Sequence, residues 1–282
     1  MSHLSVAGEI GAEGLIPTTD SFGSAPADIV RCRDCGHMQL DRFPSEKQLG
    51  EAYADAASDD YVEEEAGQRA TAVAILERIE ARVERGAILD LGCWVGFLLA
   101  EAKARGWSAT GVEPSEFAFT YAREQLGLDV RQGELLGTEL PSASYDAAML
   151  GDVIEHLVEP GAALDHIHGL LRPGGVLALA LPDSGSRLAR AMGARWWAVV
   201  PTHVQYFTRS SLTRLLREHD FEVLELSTAP KAFTVRYYLD RLSGYSPRIS
   251  SGLVAAAIRA GIAERIWAPD FRDRMLVLAR AV

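Results

Sequence analysis

The chain has 282 residues, a net charge of −11 and a hydrophobic content of 48%. Such a chain can bury a sizeable core, as one large domain or as one domain with a small appendage. The acidic balance and the lack of a dense Lys/Arg run argue against a nucleic-acid backbone as the main partner, so a small molecule is expected.

Targeting and membrane signals are also missing from the sequence. No apolar run reaches the roughly 20 residues of a membrane helix, and the first residues lack a basic region followed by an apolar stretch. Three cysteines, an odd number, do not make a disulfide framework in a chain of this length. We therefore expect a cytoplasmic protein without a membrane partner, and its oligomeric state stays open.

Two segments precede the main domain. Residues 1–44 are predicted to be irregular, apart from a short strand at Met38–Leu40. Residues 45–85 are predicted to be a helical cover. Its second half has apolar residues three to four positions apart, which predicts an amphipathic helix: Ala70, Val73, Ala74, Leu76, Ile79 and Val83.

The first segment contains a Cys-x-x-Cys turn. Cys32 and Cys35 could hold zinc only with two further ligands, and no second cysteine pair exists in the chain. His37 and His3 are the available helpers. Whether this turn binds zinc or is only structural stays open.

Beyond Gly86, short apolar runs alternate with helical segments. We predict strands at 87–91, 108–112, 128–131, 145–150, 176–181, 221–226 and 275–279. We predict helices at 97–105, 115–126, about 152–171 and 208–219. This alternation favours an α/β fold with a doubly wound, mostly parallel sheet and helices on both faces. The segments around 184–210 and 229–270 are predicted to form a substrate cap on the domain at 86–282.

The first strand of this sheet runs directly into the turn Asp90-Leu91-Gly92-Cys93-Trp94-Val95-Gly96. Its glycines permit a sharp turn and the close approach of a ligand. The next strand ends in Glu113, 23 residues after Asp90, where a carboxylate can accept both ribose hydroxyls of an adenosine. The turn therefore predicts a nucleotide site, and similar turns occur in nucleotide-binding dehydrogenases.

A wider set of residues narrows this choice. The turn lacks the third glycine of a dinucleotide fingerprint. With Gly111-Val112-Glu113-Pro114-Ser115, Tyr145-Asp146-Ala147 and the run Leu170–Leu177, the sequence resembles the class I S-adenosylmethionine-dependent methyltransferases over roughly residues 45–282. Within that family it looks most like small-molecule O-methyltransferases of ubiquinone, polyketide and sugar pathways. The Cys-x-x-Cys-Gly start, followed by Tyr53 and Tyr61, is similar to the N-terminal segment of some members.

The resemblance implies a Rossmann-like methyltransferase fold with seven strands, a reversed last hairpin and S-adenosyl-L-methionine as cofactor. It implies that the glycine turn holds the methionine end, that Glu113 takes the ribose and that the adenine lies beyond the third strand. The residues implied to bind the cofactor are Asp90, Gly92, Cys93, Gly96, Glu113, Pro114, Glu134, Leu135, Gly151 and Asp152. Trp94 departs from the family, which usually has glycine there; its indole either covers the cofactor or packs against the N-terminal helices.

Methyl transfer needs an aligned nucleophile and a base for its proton. If residues from Asp152 form a helix, then Asp152, Glu155 and His156 share one face beside the cleft, and His203 lies in the covering segment. These four could hold Mg, Mn or Zn, which would chelate a vicinal diol and lower the pKa of the attacking hydroxyl. The set resembles that of metal-assisted 2′-O-methyltransferases of small RNA ends, although Asp152 stands where those enzymes have Glu. His203 or His156 as a metal-free base, and purely structural roles, stay open.

We therefore predict an O-methyltransferase acting on a hydroxyl of a small-molecule metabolite. N-methylation, a nicotinamide-dependent oxidoreductase and a non-catalytic cofactor-binding domain are the alternatives. The acceptor itself stays open. Candidates for an aromatic acceptor wall are Trp196, Trp197, Phe233, Tyr237 and Tyr238.

Overall fold

The structure is a computed structural model that describes residues 22–45 and 62–282, together with the backbone of a strand at Ser2–Leu4. Tyr53, Tyr61 and the side chain of His3 lie outside the described residues. In the described part of the chain, no helix has the length and apolar character needed to cross a membrane.

Strands make up three sheets. In chain order they are β1 (Ser2–Leu4), β2 (Ile29–Arg31), β3 (Met38–Leu40), β4 (Ala87–Leu91), β5 (Ser108–Glu113), β6 (Asp129–Gln132), β7 (Tyr145–Gly151), β8 (Leu171–Pro182), β9 (Gln205–Tyr206), β10 (Phe221–Thr228), β11 (Phe233–Thr234), β12 (Ile266–Trp267) and β13 (Arg274–Ala281). The central sheet has seven strands in the order β10-β13-β8-β7-β4-β5-β6. β13 is antiparallel to both of its neighbours, and the other pairs are parallel. The predicted seven-stranded sheet with a reversed last hairpin is confirmed.

Helices flank this sheet and form part of the cap. They are α1 (Glu65–Glu80), α2 (Phe97–Ala104), α3 (Glu116–Thr120), α4 (Pro160–Leu170), α5 (Arg187–Met192), α6 (Arg209–Glu218), α7 (Val235–Asp240) and α8 (Pro247–Arg259). Four of these helices begin with side-chain caps, provided by Ser115, Ser186, Thr208 and Thr234. Thr208 forms a capping box with Ser211.

The central strands are buried on both faces because successive side chains point in opposite directions. Leu177 and Leu179 of β8 pack with α4 and α6, whereas Val176 and Ala178 pack with α1 on the other side. The alternation along each strand therefore determines which face of the sheet most core side chains occupy.

Helix α1 covers the second face with a different set of residues from the predicted one. Leu76 and Ile79 are buried as expected, but Ala70 and Ala74 are exposed and Ile75 is buried. Several neighbouring positions of this helix carry alanine or another small side chain, so apolar spacing alone selects the wrong stripe.

The prediction of one helix from about residue 152 to 171 is wrong. Asp152 has a φ of 56°, which no helix accommodates, and only a single 3-10 turn follows at Ile154–His156. Helix α4 starts at Pro160, where the ring fixes a helical φ and the missing amide has no partner to lose. The shared helical face proposed for Asp152, Glu155 and His156 therefore does not exist.

The prediction of an irregular N-terminal segment at 1–44 is also wrong in part, although its strand at Met38–Leu40 is confirmed. β1, β2 and β3 form a small antiparallel sheet that β9 completes. Strands of two or three residues carry too little periodicity to be seen in a sequence. The small sheet connects the N-terminal segment to the part of the cap that bears His203.

Candidate active site

The glycine turn lies at the carboxyl end of β4, and two of its residues need glycine for different reasons. Gly92 has a φ of 76°, and a Cβ there would lie 2.6 Å from Cγ2 of Val153. Gly96 has a φ of 83°, and a Cβ there would lie 2.5 Å from Cδ1 of Leu128. Gly92 lines the cavity described below, whereas Gly96 is not one of its lining residues and serves packing behind the turn.

Trp94, the departure from the usual glycine, keeps the backbone conformation that glycine favours. Its φ is 49°, in the left-handed region that is unfavourable for a side chain with a Cβ. The indole lines the cavity, with its ring centroid 6.3 Å from that of Phe117. The indole therefore packs against α3, which is not one of the N-terminal helices of the packing interpretation, and it faces the ligand space. That it covers the cofactor stays a prediction.

We expect Trp94→Ala to be less stable than Trp94→Gly by about 1 kcal/mol, because alanine keeps a Cβ at this positive φ. Both variants remove the indole, so their difference isolates the backbone strain. Urea denaturation measures it. At exposed Ala70 inside α1 the order should reverse, with Ala70→Gly about 1 kcal/mol less stable than the parent. Equal stability of the two Trp94 variants would contradict the assignment of strain.

Glu113 is held at the end of β5 by backbone amides. Its side chain is buried; Oε2 accepts the amide of Trp94 at 2.7 Å and Oε1 accepts the amide of Ser115 at 2.9 Å. Burial raises the pKa of Glu113 to about 7, although the two amides oppose this. Burial and the nearby charge of Glu113 raise the pKa of Asp90 to about 7 as well.

A cavity of about 1680 Å³ opens over these strand ends, under the cap. Pockets for one small ligand usually occupy about 300–1,000 Å³, so this space has room for a cofactor and an acceptor together. Of the ten residues predicted to bind the cofactor, Gly96 does not line this cavity. The other nine do, and they are Asp90, Gly92, Cys93, Glu113, Pro114, Glu134, Leu135, Gly151 and Asp152.

Asp152 is tied to two cations that the sequence did not single out. One carboxylate oxygen lies 2.6 Å from Nζ of Lys231, and the other lies 2.6 Å from the guanidinium of Arg274. Burial alone would raise the pKa of Asp152, but the charges of Arg274 and Lys231 outweigh it and hold the pKa below its usual range. Residues 79 and 122 positions away along the chain leave no local signal of this contact.

Glu155, His156 and His203 come together beside the cavity. One ligand atom from each lies within 4.8 Å of the others, and Nε2 of His203 is 4.0 Å from Oε1 of Glu155. Asp152 is not part of this cluster. The predicted four-residue metal set is therefore reduced to three, since the carboxylate of Asp152 is directed to Lys231 and Arg274.

Backbone contacts hold both imidazoles in one orientation. Nδ1 of His156 donates to the carbonyl of Thr202 at 2.9 Å, and Nδ1 of His203 donates to the carbonyl of Ala198 at 2.8 Å. A carbonyl only accepts, so the neutral His203 ring carries its proton on Nδ1 and its lone pair on Nε2. His156 has a second backbone contact, with Asp152, besides the one with Thr202. Hydrogen bonds of this kind orient histidines that bind metals or act as bases.

The third member of the cluster is buried without compensation. Glu155 is 2% exposed, and within the described ranges neither carboxyl oxygen has a hydrogen-bond partner. Burial, with the charge of Asp152, raises the pKa of Glu155 to about 8, and burial lowers the pKa of His156 and of His203. Buried polar groups of this kind are costly unless a partner is supplied, so the donor set fits a bound cation.

The cap brings His203 to this position. The amide of Val204 donates to the carbonyl of Glu155 at 3.0 Å, which ties the cap segment to the 3-10 turn. The cap also supplies aromatic side chains to the cavity. Of the five candidates for an aromatic acceptor wall, four line the cavity, namely Trp197, Phe233, Tyr237 and Tyr238. Trp196 is instead buried and donates from Nε1 to Asp273 at 3.0 Å. Trp267 and Phe271, which also line the cavity, were missed.

The Cys-x-x-Cys turn is formed, with the amide of Cys32 donating to the carbonyl of His37 at 2.8 Å. His37 is engaged elsewhere, since its Nε2 lies 2.8 Å from Oε1 of Gln205. Over residues 22–45 and 62–282, no third metal-ligating side chain joins Cys32 and Cys35. The choice between a zinc site and a purely structural turn therefore stays open.

Comparison with known proteins agrees with this arrangement. Residues 64–226, more than half of the chain, match a family described as a methyltransferase domain. The sheet order, the glycine turn and this match together show that the chain belongs to the methyltransferase domain family. It is an S-adenosylmethionine-dependent methyltransferase, which removes the nicotinamide-dependent and non-catalytic alternatives.

Individual relatives differ in what they methylate. A probable S-adenosylmethionine-dependent methyltransferase of Mycolicibacterium smegmatis is 25% identical over 68% of this chain and 71% of its own length. A ubiquinone biosynthesis O-methyltransferase of Dinoroseobacter shibae is 32% identical over 49% of this chain, and the match spans only 60% of that protein. The solved 1,6-didemethyltoxoflavin-N1-methyltransferase of Burkholderia thailandensis has a TM-score of 0.55 and 17% identity, covering 89% of this chain and 98% of its own. That last likeness concerns the fold.

Proposed function

We propose that this protein transfers the methyl group of S-adenosylmethionine to a hydroxyl of a small molecule. The observation that carries the proposal is the cluster of Glu155, His156 and His203, which places a carboxylate and two imidazoles beside a cavity large enough for cofactor and acceptor. A hydroxyl must lose its proton as it attacks, and groups of this chemistry either accept that proton or hold a cation that acidifies it. The sequence similarity to O-methyltransferases supports the same acceptor atom.

The cofactor is proposed to lie across the carboxyl ends of β4, β5 and β7. Glu113 accepts the ribose hydroxyls, the turn around Gly92 admits the methionine end, and Glu134 and Leu135 border the adenine. Gly151 and Asp152 complete the pocket. All of these residues line the cavity, and Gly92 allows the backbone to approach the ligand closely.

We expect the affinity for S-adenosylmethionine to fall about tenfold per pH unit as the pH drops below about 7. The ionised form of Glu113 accepts two hydroxyls, so binding opposes its protonation and weakens once the free protein is protonated. Calorimetry between pH 5.5 and 8.5 measures this slope. In Glu113→Gln the slope should become shallower, because the titrating carboxyl group is gone. The substitution also removes the charge that helps to raise the pKa of Asp90. An unchanged slope in that variant would contradict the role of Glu113.

The cluster fits a divalent metal, because its one carboxylate and two imidazoles are groups that bind divalent metals in proteins. Glu155, His156 and His203 would hold the ion, which would lower the pKa of a hydroxyl bound next to it. The protein itself fixes the imidazole orientation through Thr202 and Ala198 and covers the site with the cap. Without a metal, Nε2 of His203 is positioned to take the proton, and Glu155 lies 4.0 Å from it.

Turnover on a panel of hydroxylated and amino-substituted small molecules tests the acceptor atom, with the methylated product identified by NMR. Ether products support the proposal, and products methylated only on nitrogen overturn it. Each reaction is repeated in chelator, with and without added Mg²⁺ or Mn²⁺. Loss and restoration of turnover support the metal, whereas undiminished turnover in chelator assigns the proton to a histidine.

A further inference from the structure

An apolar surface lies on the C-terminal part of the cap, on and after α8. Ile249 is 60% exposed, Leu253 is 41% exposed and Ile258 is 57% exposed. Ile249 and Leu253 are one helical turn apart, so they lie on the same face of α8. Ile258 is nine positions after Ile249 and therefore lies on the opposite side of the helix. Single exposed apolar residues are common, so the feature that indicates an interaction surface is the pair Ile249 and Leu253 on one face.

Further exposed apolar residues follow α8 in the chain, and two of them line the cavity. After the helix, Ile262 and Ile266 are exposed, followed by Trp267 at 48% and Phe271 at 45%. Trp267 and Phe271 also line the cavity, and their ring centroids are 6.4 Å apart. Residues that both line a cavity and reach solvent lie at its mouth, so Trp267 and Phe271 mark the mouth of the cavity.

The charge of this region is opposite to that of the protein as a whole. Residues 235–272 contain six arginines and three acidic residues, a net charge of +3, whereas the entire chain carries −11. Four of these arginines are exposed, namely Arg248, Arg259, Arg265 and Arg272. In the part of the chain that the structure describes, no carboxylate forms an ion pair with any of them.

We propose that this surface docks on an anionic lipid bilayer. Exposed aliphatic side chains on one face of a helix, together with arginines on the same helix, are features of helices that lie in a membrane interface, and an exposed tryptophan follows in the next segment of the chain. The arginines contribute attraction to anionic headgroups, and the apolar side chains enter the boundary between headgroups and acyl chains. The mouth of the cavity then faces the bilayer.

A second copy of the chain fits this surface less well. In a two-fold dimer the same patch meets itself, and α8 contains two arginines and no acidic residue. Self-association would therefore place like charges together, whereas an anionic lipid surface complements them. A helix that lies on a membrane surface needs no membrane-spanning segment. The expectation of no membrane partner was based only on the lack of such a segment, so it did not concern surface binding.

Vesicle binding by the full chain tests the proposal. Phosphatidylcholine vesicles are compared with vesicles that contain about one third phosphatidylglycerol, by co-sedimentation at low and high salt. We expect binding to the anionic vesicles, at least tenfold weaker binding to the neutral ones, and a loss of binding at high salt. Ile249→Gln/Leu253→Gln should weaken binding about tenfold, and Arg248→Gln/Arg259→Gln about 25-fold, at about fivefold per arginine.

The matched control is Arg33→Gln/Arg217→Gln, which removes two exposed arginines outside the cap and should bind like the parent. Calorimetry with S-adenosylmethionine and thermal unfolding verify that each variant is folded. The proposal is overturned if the parent ignores anionic vesicles or if the Ile249/Leu253 variant binds them as the parent does. If the parent binds no vesicles, sediments as a dimer, and becomes monomeric in the Ile249/Leu253 variant, the surface is assigned to a second copy of the chain instead. Vesicle binding is measured without an acceptor, so its failure leaves the proposed O-methylation untouched.

Discussion

Replacing Glu113 with Gln is expected to weaken S-adenosylmethionine binding about a hundredfold. The carboxylate has the position and the burial to accept two ribose hydroxyls, and each hydrogen bond to a buried charged group contributes about 1.5–3 kcal/mol. The amide of the variant accepts at one atom only and presents a donor at the other. Calorimetry with S-adenosylmethionine and with S-adenosylhomocysteine measures the loss.

The matched control for this variant is Glu116→Gln, which removes an exposed carboxylate at the start of α3 and should leave affinity unchanged. Glu113 also accepts the amides of Trp94 and Ser115, so Glu113→Gln must be checked by circular dichroism and thermal unfolding. Unaltered affinity in a folded Glu113→Gln protein would rule out the proposed ribose site.

Substitutions in the three-residue cluster should reduce turnover by about 10²- to 10⁴-fold while cofactor affinity stays near that of the parent. Glu155→Gln and His203→Gln each remove one of the convergent ligand atoms. If the cluster holds a metal, both variants should also lose at least a hundredfold in Mn²⁺ affinity, measured by calorimetry on metal-free protein. This binding readout does not depend on knowing the acceptor.

His168→Gln is the control for the cluster variants, because His168 lies on α4 and contacts the carbonyl of Val282 away from the cavity. It should retain both turnover and any Mn²⁺ binding. A metal-free mechanism predicts a different pattern: His203→Gln loses turnover, and no variant changes Mn²⁺ affinity because the parent binds none. Full turnover in both Glu155→Gln and His203→Gln would contradict a chemical role for the cluster.

The cofactor half of the site follows closely from sequence. Glu113 ends β5, Asp90 is the second-last residue of β4, and Gly92 follows β4 directly, so short-range patterns place them at one edge of a parallel sheet. The same patterns cannot distinguish Gly96, which packs against Leu128, from Gly92, which faces the cavity, because both lie in one turn with positive φ.

The acceptor half depended on longer-range contacts. Asp152 was grouped with Glu155 on an assumed helix, but its positive φ prevents that helix. Its carboxylate is paired with Lys231, from the segment before β11, and with Arg274, from β13. Tertiary pairing therefore changed the role expected for Asp152.

The sequence by itself determined the sheet, the glycine turn and the class of enzyme, because alternating strands, glycine spacing and strand-end acids are local properties of the chain. Only the tertiary structure decided that His203 joins Glu155 and His156, and that Trp267 and Phe271 line the cavity. Those relations join residues separated by dozens of positions, and they are fixed by how the cap packs over the sheet rather than by any repeat in the sequence.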